Sequence, residues 1–277
     1  MLRILWIPLI AALSACAGTD TLRYRTTPAL AYVDDGSAKQ VGDLYVPEGA
    51  GPFPAVLVVH GGGWIRGERA DMNKFARRLA EGGYAAYNIG YRLAPDDRFP
   101  AQLDDLRTAL RWLHAHAEEN RIDPDRIAVM GYSAGAHLAL MLGLDPGTDT
   151  PRVRAVVAGA GPTDLRVYPD SPFIKALIGG TPDQFAAEYA TASPITYVTP
   201  DDPPVMLYHG KLDGLVEVEQ SLRLHQALID AGVRSELATP PLSGHITTFL
   251  FDGDTFAQAL QFLAETTAPR QAVSAIR

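Results

Sequence analysis

No stretch restricts this chain more than residues 127–137. Ile127-Ala128-Val129-Met130 is an apolar run that leads into Gly131-Tyr132-Ser133-Ala134-Gly135, and an Ala/Leu-rich stretch from Ala136 to Leu142 follows. The pattern predicts a strand, a sharp turn and a helix. A serine between two glycines at such a junction is lifted above the sheet edge, in a strained backbone conformation that its small neighbours permit. The amides of the new helix then face its hydroxyl. Alone, the pentapeptide fits a plain strand–turn–helix junction equally well, so its meaning depends on the rest of the chain.

The rest of the chain alternates strand and helix patterns. The continuous apolar run at 55–59 predicts a strand buried on both faces, and 84–89, 126–130, 153–158 and 205–208 read as further strands. A further strand is expected at 235–238. Helical spacing is expected over 72–81, 103–118, 219–231 and 255–263. Residues 22–33 and 41–46 flank the turn-rich Asp34-Asp35-Gly36-Ser37 and predict an antiparallel pair at the sheet edge. Asp123-Pro124-Asp125 predicts a turn before the elbow strand. The implied architecture is α/β, a mostly parallel sheet with helices on both faces. Residues 22–267 are read as one domain. Within it, 162–203 is rich in Pro, Gly, Asp and Thr and is expected to form a small cap excursion over the sheet. The tail 268–277 is expected to be loose.

With 277 residues, 47% hydrophobic and 20% charged, the chain is long enough for such a domain. Its net charge of −8 and scattered Lys and Arg argue against a nucleic-acid partner. The one cysteine, Cys16, follows Met1-Leu2-Arg3, an apolar run over 4–13 and Leu13-Ser14-Ala15. A short positive start, a short apolar core and small residues before a cut form an export signal, too short to span a membrane. It resembles the lipobox of bacterial lipoproteins, which implies a signal at 1–15, a lipid on Cys16 and a tether over 16–21. The chain would then be membrane-anchored in the bacterial cell envelope, facing the periplasm or the outer surface. An ordinary signal peptide or an N-terminal strand with a free thiol are the alternatives.

A serine hydroxyl needs a general base, an orienting acid and donors for the developing oxyanion. The strand at 205–208 runs into His209-Gly210-Lys211-Leu212-Asp213, which puts Asp213 just past a strand's C-terminal end. Ser243-Gly244-His245 follows the next strand and puts His245 on the same edge, where sites form in open α/β sheets. The order Ser133, Asp213, His245 is the one an elbow serine calls for. His60-Gly61-Gly62-Gly63-Trp64 directly follows the strand at 55–59 and can turn backbone N–H groups toward a ligand. Trp64-Ile65-Arg66 lacks the Lys and Ser/Thr of a phosphate loop.

Together these motifs resemble the α/β-hydrolase carboxylesterases, in the branch of hormone-sensitive-lipase-like enzymes and small bacterial acetyl or feruloyl esterases. Tyr91-Arg92-Leu93-Ala94-Pro95, Phe99-Pro100-Ala101 and Asp104-Asp105 add to the likeness, which covers about residues 43–263. It implies Ser133 as nucleophile, His245 as base and Asp213 as acid. Gly62, Gly63 and Ala134 are implied as oxyanion donors, with the Trp64 N–H as a substitute for one glycine. Two departures stand out. The hormone-sensitive-lipase-like enzymes carry a helical N-terminal cap, whereas strands are expected here almost directly after the tether, which favours the more open, smaller-cap esterases, and the apolar Ile246-Thr247-Thr248 after the histidine is unfamiliar.

Trp64, Tyr132 and Phe173 are candidates for a substrate pocket, with simple core aromatics as the alternative. His137 is expected to pack or hydrogen-bond, His60 to brace the glycine loop, and His114 and His116 to lie on a helix surface. Asp164 is a fallback acid that comes early in chain order. Asp104 and Asp105 are expected to pair with Arg92 or Arg107. No Cys or His spacing supports a metal, and no cofactor is expected. The expected function is cleavage of carboxylic esters of small or short acyl groups through an acyl-enzyme. The alternatives are an amidase, arylformamidase or peptidase on the same residues, or a non-catalytic envelope binding protein.

Overall fold

The computed structural model describes residues 22–34, 38–145 and 147–269. The signal, tether and Cys16, and all of the tail but 268 and 269, lie outside the described residues, as do three residues of the expected turn, Asp35, Gly36 and Ser37. Eight strands form one sheet: β1 Tyr24–Ala31, β2 Val41–Pro47, β3 Phe53–Val59, β4 Ala85–Ile89, β5 Ile122–Tyr132, β6 Val156–Gly159, β7 Val205–Tyr208 and β8 Ser235–Ala238. Their order is β1-β2-β4-β3-β5-β6-β7-β8. β1 pairs antiparallel with β2, and β2 with β4, while every other pairing is parallel.

Eight α-helices accompany the sheet among the described residues: α1 Asn73–Glu81, α2 Ala101–Ala115, α3 Ala134–Leu144, α4 Pro172–Ile178, α5 Ala186–Thr191, α6 Glu219–Asp230, α7 His245–Leu250 and α8 Gly253–Thr266. The strand period divides the core in two. Ala55, Leu57 and Val59 of β3, with Ile127 and Val129 of β5, pack in one cluster with α2, α3 and α6. Val56 and Val58, with Ala128 and Met130, face α1 and α8 through Phe75, Leu79, Phe256 and Phe262. The expected mostly parallel sheet with helices on both faces is what forms.

One local reading needs correction. Asp123-Pro124-Asp125 does not precede the elbow strand but lies inside β5. The register jumps from Phe53↔Ile122 to Ala55↔Ile127, so these residues bulge out of the ladder. Asp123 Oδ1 accepts from the Asp125 N–H at 3.1 Å, the side-chain turn that lets the bulge form. The segment after His245 is helical, as α7.

α3 is buried on every side, because the sheet lies under it and the excursion between β6 and β7 covers it. That excursion holds α4 and α5 and closes on its own stem, where Ile195 N–H donates to the Thr163 carbonyl at 3.1 Å. No helix among the described residues is long and apolar enough to cross a membrane.

Candidate active site

Ser133 directly follows β5 and caps α3 with φ 55° and ψ −122°, a region L side chains rarely occupy. Three contacts hold it there. Its N–H donates to the Gly159 carbonyl at 2.7 Å, its carbonyl accepts from His137 N–H at 3.0 Å, and its hydroxyl meets His245. A Cβ on Gly131 would overlap the Gly135 carbonyl, and one on Gly135 would overlap the carbonyls of Val59 and His60. The two glycines therefore let α3 seat against the end of β3.

The sheet register supplies the neighbour. Val59 pairs with Gly131, so the glycine loop leaves β3 beside the elbow. Gly62 has φ +110°, and Gly63 and Trp64 both have φ +62°. The N–H groups of Gly62, Gly63 and Ala134 make no hydrogen bond among the described residues. All three residues line the same cavity as Ser133.

Asp213 lies in the loop after β7, and His245 opens α7 after β8, on the same sheet edge. His245 Nδ1–H donates to Asp213 Oδ2 at 2.7 Å, and Ser133 Oγ–H donates to His245 Nε2 at 2.9 Å. Asp213 Oδ1 accepts from the N–H groups of Leu215 and Val216, both at 2.9 Å. Burial pushes the Asp213 carboxyl up. Hydrogen bonds from His209, His245 and Val216, with the charge on His245, outweigh that and hold it well below the usual carboxylate range. Asp213 and His245 are buried, while Ser133 is partly exposed to the cavity. A hydroxyl aimed at an imidazole, a fixed carboxylate behind it and unbonded amides on residues lining the same cavity can carry acyl transfer.

The cavity measures about 300 Å³. Trp64, Tyr132 and Phe173 line it, joined by Tyr168, Ile174, Leu215, Val216, Ile246 and Phe249. The last two come from α7, which the sequence did not announce.

The other candidates take structural positions. His137 is fully buried, and its Nε2–H donates to the Ala192 carbonyl at 2.7 Å. Its Nδ1 accepts from Trp64 Nε1–H at 3.2 Å, so one ring joins the glycine loop, the elbow helix and the excursion. His60 stacks on Tyr91 with 4.2 Å between ring centroids, and its Nδ1–H donates to the Gly61 carbonyl at 2.7 Å. His114 is exposed, and His116 stacks on Trp112. Asp164 caps a short turn and pairs with Arg166, away from His245. Asp105 takes Arg92, and Asp104 takes Arg107. Among the described residues, no three His, Cys, Asp or Glu side chains converge as metal ligands.

His209 escaped the sequence reading, which used its stretch only for Asp213. Its ring is fully buried against that carboxylate. The signal was a histidine four residues before an acid at a strand end.

The BD-FAE family model matches residues 42–228. The chain is 32% identical over 249 residues to the probable carboxylic ester hydrolase LipM of Mycobacterium tuberculosis, across 81% of this chain and 57% of that protein. It is 35% identical over 189 residues to esterase LipC of the same organism, across 61% of this chain and 47% of that one. The chain thus spans about half the length of these curated relatives. Among solved structures, a truncated carbohydrate esterase from gut microbiota superposes with a TM-score of 0.82 at 26% identity, over 90% of this chain and 98% of that one.

Proposed function

The chain belongs to the BD-FAE family and has the α/β-hydrolase fold, and from that premise we propose that it hydrolyses carboxylic esters of small or short acyl groups through an acyl-enzyme. The observation that carries this reading is the line from Ser133 Oγ through His245 to Asp213, at 2.9 and 2.7 Å, in a cavity that Gly62, Gly63 and Ala134 also line. The printed names of the relatives, carboxylic ester hydrolase and esterase, point the same way.

Ser133 Oγ attacks the ester carbonyl while His245 Nε2 takes its proton. Asp213 stays ionised and steadies the imidazolium. The oxyanion is met by the N–H groups of Gly62, Gly63 and Ala134, each such donor contributing about 3 kcal/mol to the barrier reduction. His245 then protonates the leaving alcohol, and water repeats the cycle on the acyl-enzyme. Residues 162–203 act as a small cap that brings Phe173 and Ile174 over the cavity.

The test compares the purified protein with Ser133→Ala. The parent should turn over p-nitrophenyl acetate and take a fluorophosphonate label, and the variant should do neither. Parental turnover in the variant would sink the assignment.

Cys16 is read as the attachment point of a lipid that holds the enzyme on an envelope membrane. Its support is the Leu-Ser-Ala-Cys pattern behind a short apolar run. Expressed in bacteria, the chain should partition into detergent with an acylated N-terminal cysteine by mass spectrometry, and Cys16→Ser should release it to the aqueous phase. An unmodified cysteine in the exported parent would overturn this assignment.

A further inference from the structure

The mechanism above makes no use of His209, although it is as buried as any residue in the core. It follows β7 directly, and its own N–H donates to the Ala238 carbonyl at the end of β8 at 2.9 Å. The backbone is therefore fixed between the two strands that carry Asp213 and His245. Its ring has three polar neighbours. Nε2 lies 2.8 Å from the Val216 carbonyl and 3.2 Å from Asp213 Oδ2. Nδ1 lies 2.8 Å from the Ser221 hydroxyl on α6.

These partners settle the tautomer. A carbonyl only accepts, so Nε2 carries a proton and shares it between Val216 and Asp213. In the neutral ring Nδ1 is then an acceptor, and the Ser221 hydroxyl donates to it. In the neutral ring this arrangement satisfies every polar atom, as a fully buried network requires.

The same arrangement completes the acid. Asp213 Oδ1 holds two amide donors, while Oδ2 holds His245 on one side and His209 on the other. Of the four, only the bond to His245 changes during catalysis. Other titratable groups facing the pair are the Tyr132 and Tyr168 hydroxyls, both held protonated chiefly by burial, with Tyr208 and Asp213 adding to it at Tyr132 and the hydrogen bond to Glu217 at Tyr168. Glu217 accepts from Tyr168, and Lys211 sits exposed on the same loop.

We propose that His209 is a positioning residue of the catalytic machinery, a neutral Nε2-protonated imidazole whose second donor pins Asp213 Oδ2 in the plane of His245 and tempers its negative charge. This deepens the reading of Ser133, His245 and Asp213 as a triad and rests on it. If the second donor is lost, Oδ2 is freer to turn and attracts the His245 proton more strongly. The imidazolium is then over-stabilised relative to the base form that attack requires.

The experiment uses the full chain with His209→Phe, which removes the donor, and His209→Gln, whose amide can reach the Nε2 position. In His209→Phe, kcat should fall about 10- to 100-fold with KM near the parent value, the range for losing a hydrogen bond to a charged group. The acid limb of kcat/KM should move to higher pH. In the resting enzyme the downfield proton resonance of His245 Nδ1–H should move further downfield, a readout that needs no substrate. His209→Gln should recover most of the rate and return both readouts toward the parent. Ser221→Ala keeps the ring but frees its tautomer. It should shift both readouts in the same direction by less, and it serves if the phenylalanine variant does not fold. An acid limb and a resonance that stay at the parent positions, or a rate loss as large with glutamine as with phenylalanine, would overturn the proposal. Failure of the triad reading looks different, since the parent itself would then show neither turnover nor probe labelling.

Discussion

The Tyr132 hydroxyl donates to the main-chain carbonyl of His245 at 2.6 Å, from the residue just before Ser133. Candidate nucleophile and candidate base are thus tied by a bond that does not pass through either reacting side chain. The Tyr132 ring also packs on the rings of Phe249 and His245, at centroid distances of 4.9 and 5.4 Å.

Tyr132→Phe should keep that packing and lose the bond. With the His245 carbonyl released, α7 can drift relative to β5. We expect kcat to fall about tenfold, with KM changing little, because alignment of attacking groups is sensitive to small displacements. The net loss of one buried hydrogen bond is about 1 kcal/mol, which for a domain of this size lowers Tm by roughly 2–4 °C. Steady-state kinetics and a melting curve on one preparation check both. A Tm drop with no change in kcat would make the bond purely structural.

The parallel core was legible because strands buried on both faces read as unbroken apolar runs, as Val56 to Val59 and Ile127 to Met130 do. The stretches carrying Ser133, Asp213 and His245 were legible because each sits at a strand end, and chain order alone puts strand ends on one edge. What stayed hidden depends on contacts between distant segments. α7 is six residues long with Ile246 and Leu250 exposed, so it has no amphipathic period to read. The partners of His209 come from β8, α6 and its own loop, and nothing in a linear pattern brings Ser221 beneath it. The His137–Ala192 bond joins α3 to an excursion whose path the sequence does not dictate.

Backbone strain at Ser133 predicts an inverse relation between stability and function. Ser133→Ala retains a Cβ at φ 55°, so it retains the strain. Ser133→Gly removes it, and strain of this kind costs about 1–3 kcal/mol. Glycine also adds unfolded-state entropy, a penalty of about 0.4–1 kcal/mol. The glycine variant should therefore unfold at equal or higher urea than the alanine variant, with both inactive. A glycine variant less stable than alanine by more than 1 kcal/mol would show that the site holds no strain.

His137 predicts a pH dependence of stability. Burial pushes its imidazole down to about 4, against the Ala192 carbonyl bond, which raises it. The unfolded chain takes up this proton near 6.5 and the folded chain only near 4. Between those values the unfolded state binds more protons, so stability is full above the window and falls as pH falls through it. At about 1.4 kcal/mol per unit, the loss across the window is roughly 3 kcal/mol. His60, also lowered by burial, acts in the same direction. Urea unfolding at several pH values, on the parent and on His137→Gln, checks this. The glutamine variant should start less stable but show the shallower slope, and parallel slopes would rule out His137 as a source.

Phe173 predicts a change in specificity. It stands on the first turn of α4, where the Ser171 hydroxyl caps the helix by accepting from Ile174 N–H. Its ring closes the cavity against Gly63, where an added Cβ would meet the ring at 2.8 Å, and the Arg66 guanidinium covers it at 5.8 Å from the centroid. Phe173→Ala opens the cavity on the side of the glycine loop without touching Ser133, Asp213 or His245. Each further methylene that finds apolar cover is worth about 0.8 kcal/mol, close to a fourfold gain in kcat/KM. Along a series of p-nitrophenyl esters the optimum should therefore move to longer acyl chains, while acetate, too short to reach the ring, loses little. A parallel series of acetates with alcohols of increasing size separates the two halves of the cavity. A shift confined to the alcohols would place Phe173 on the leaving-group side, and no shift in either series would remove it from the substrate wall.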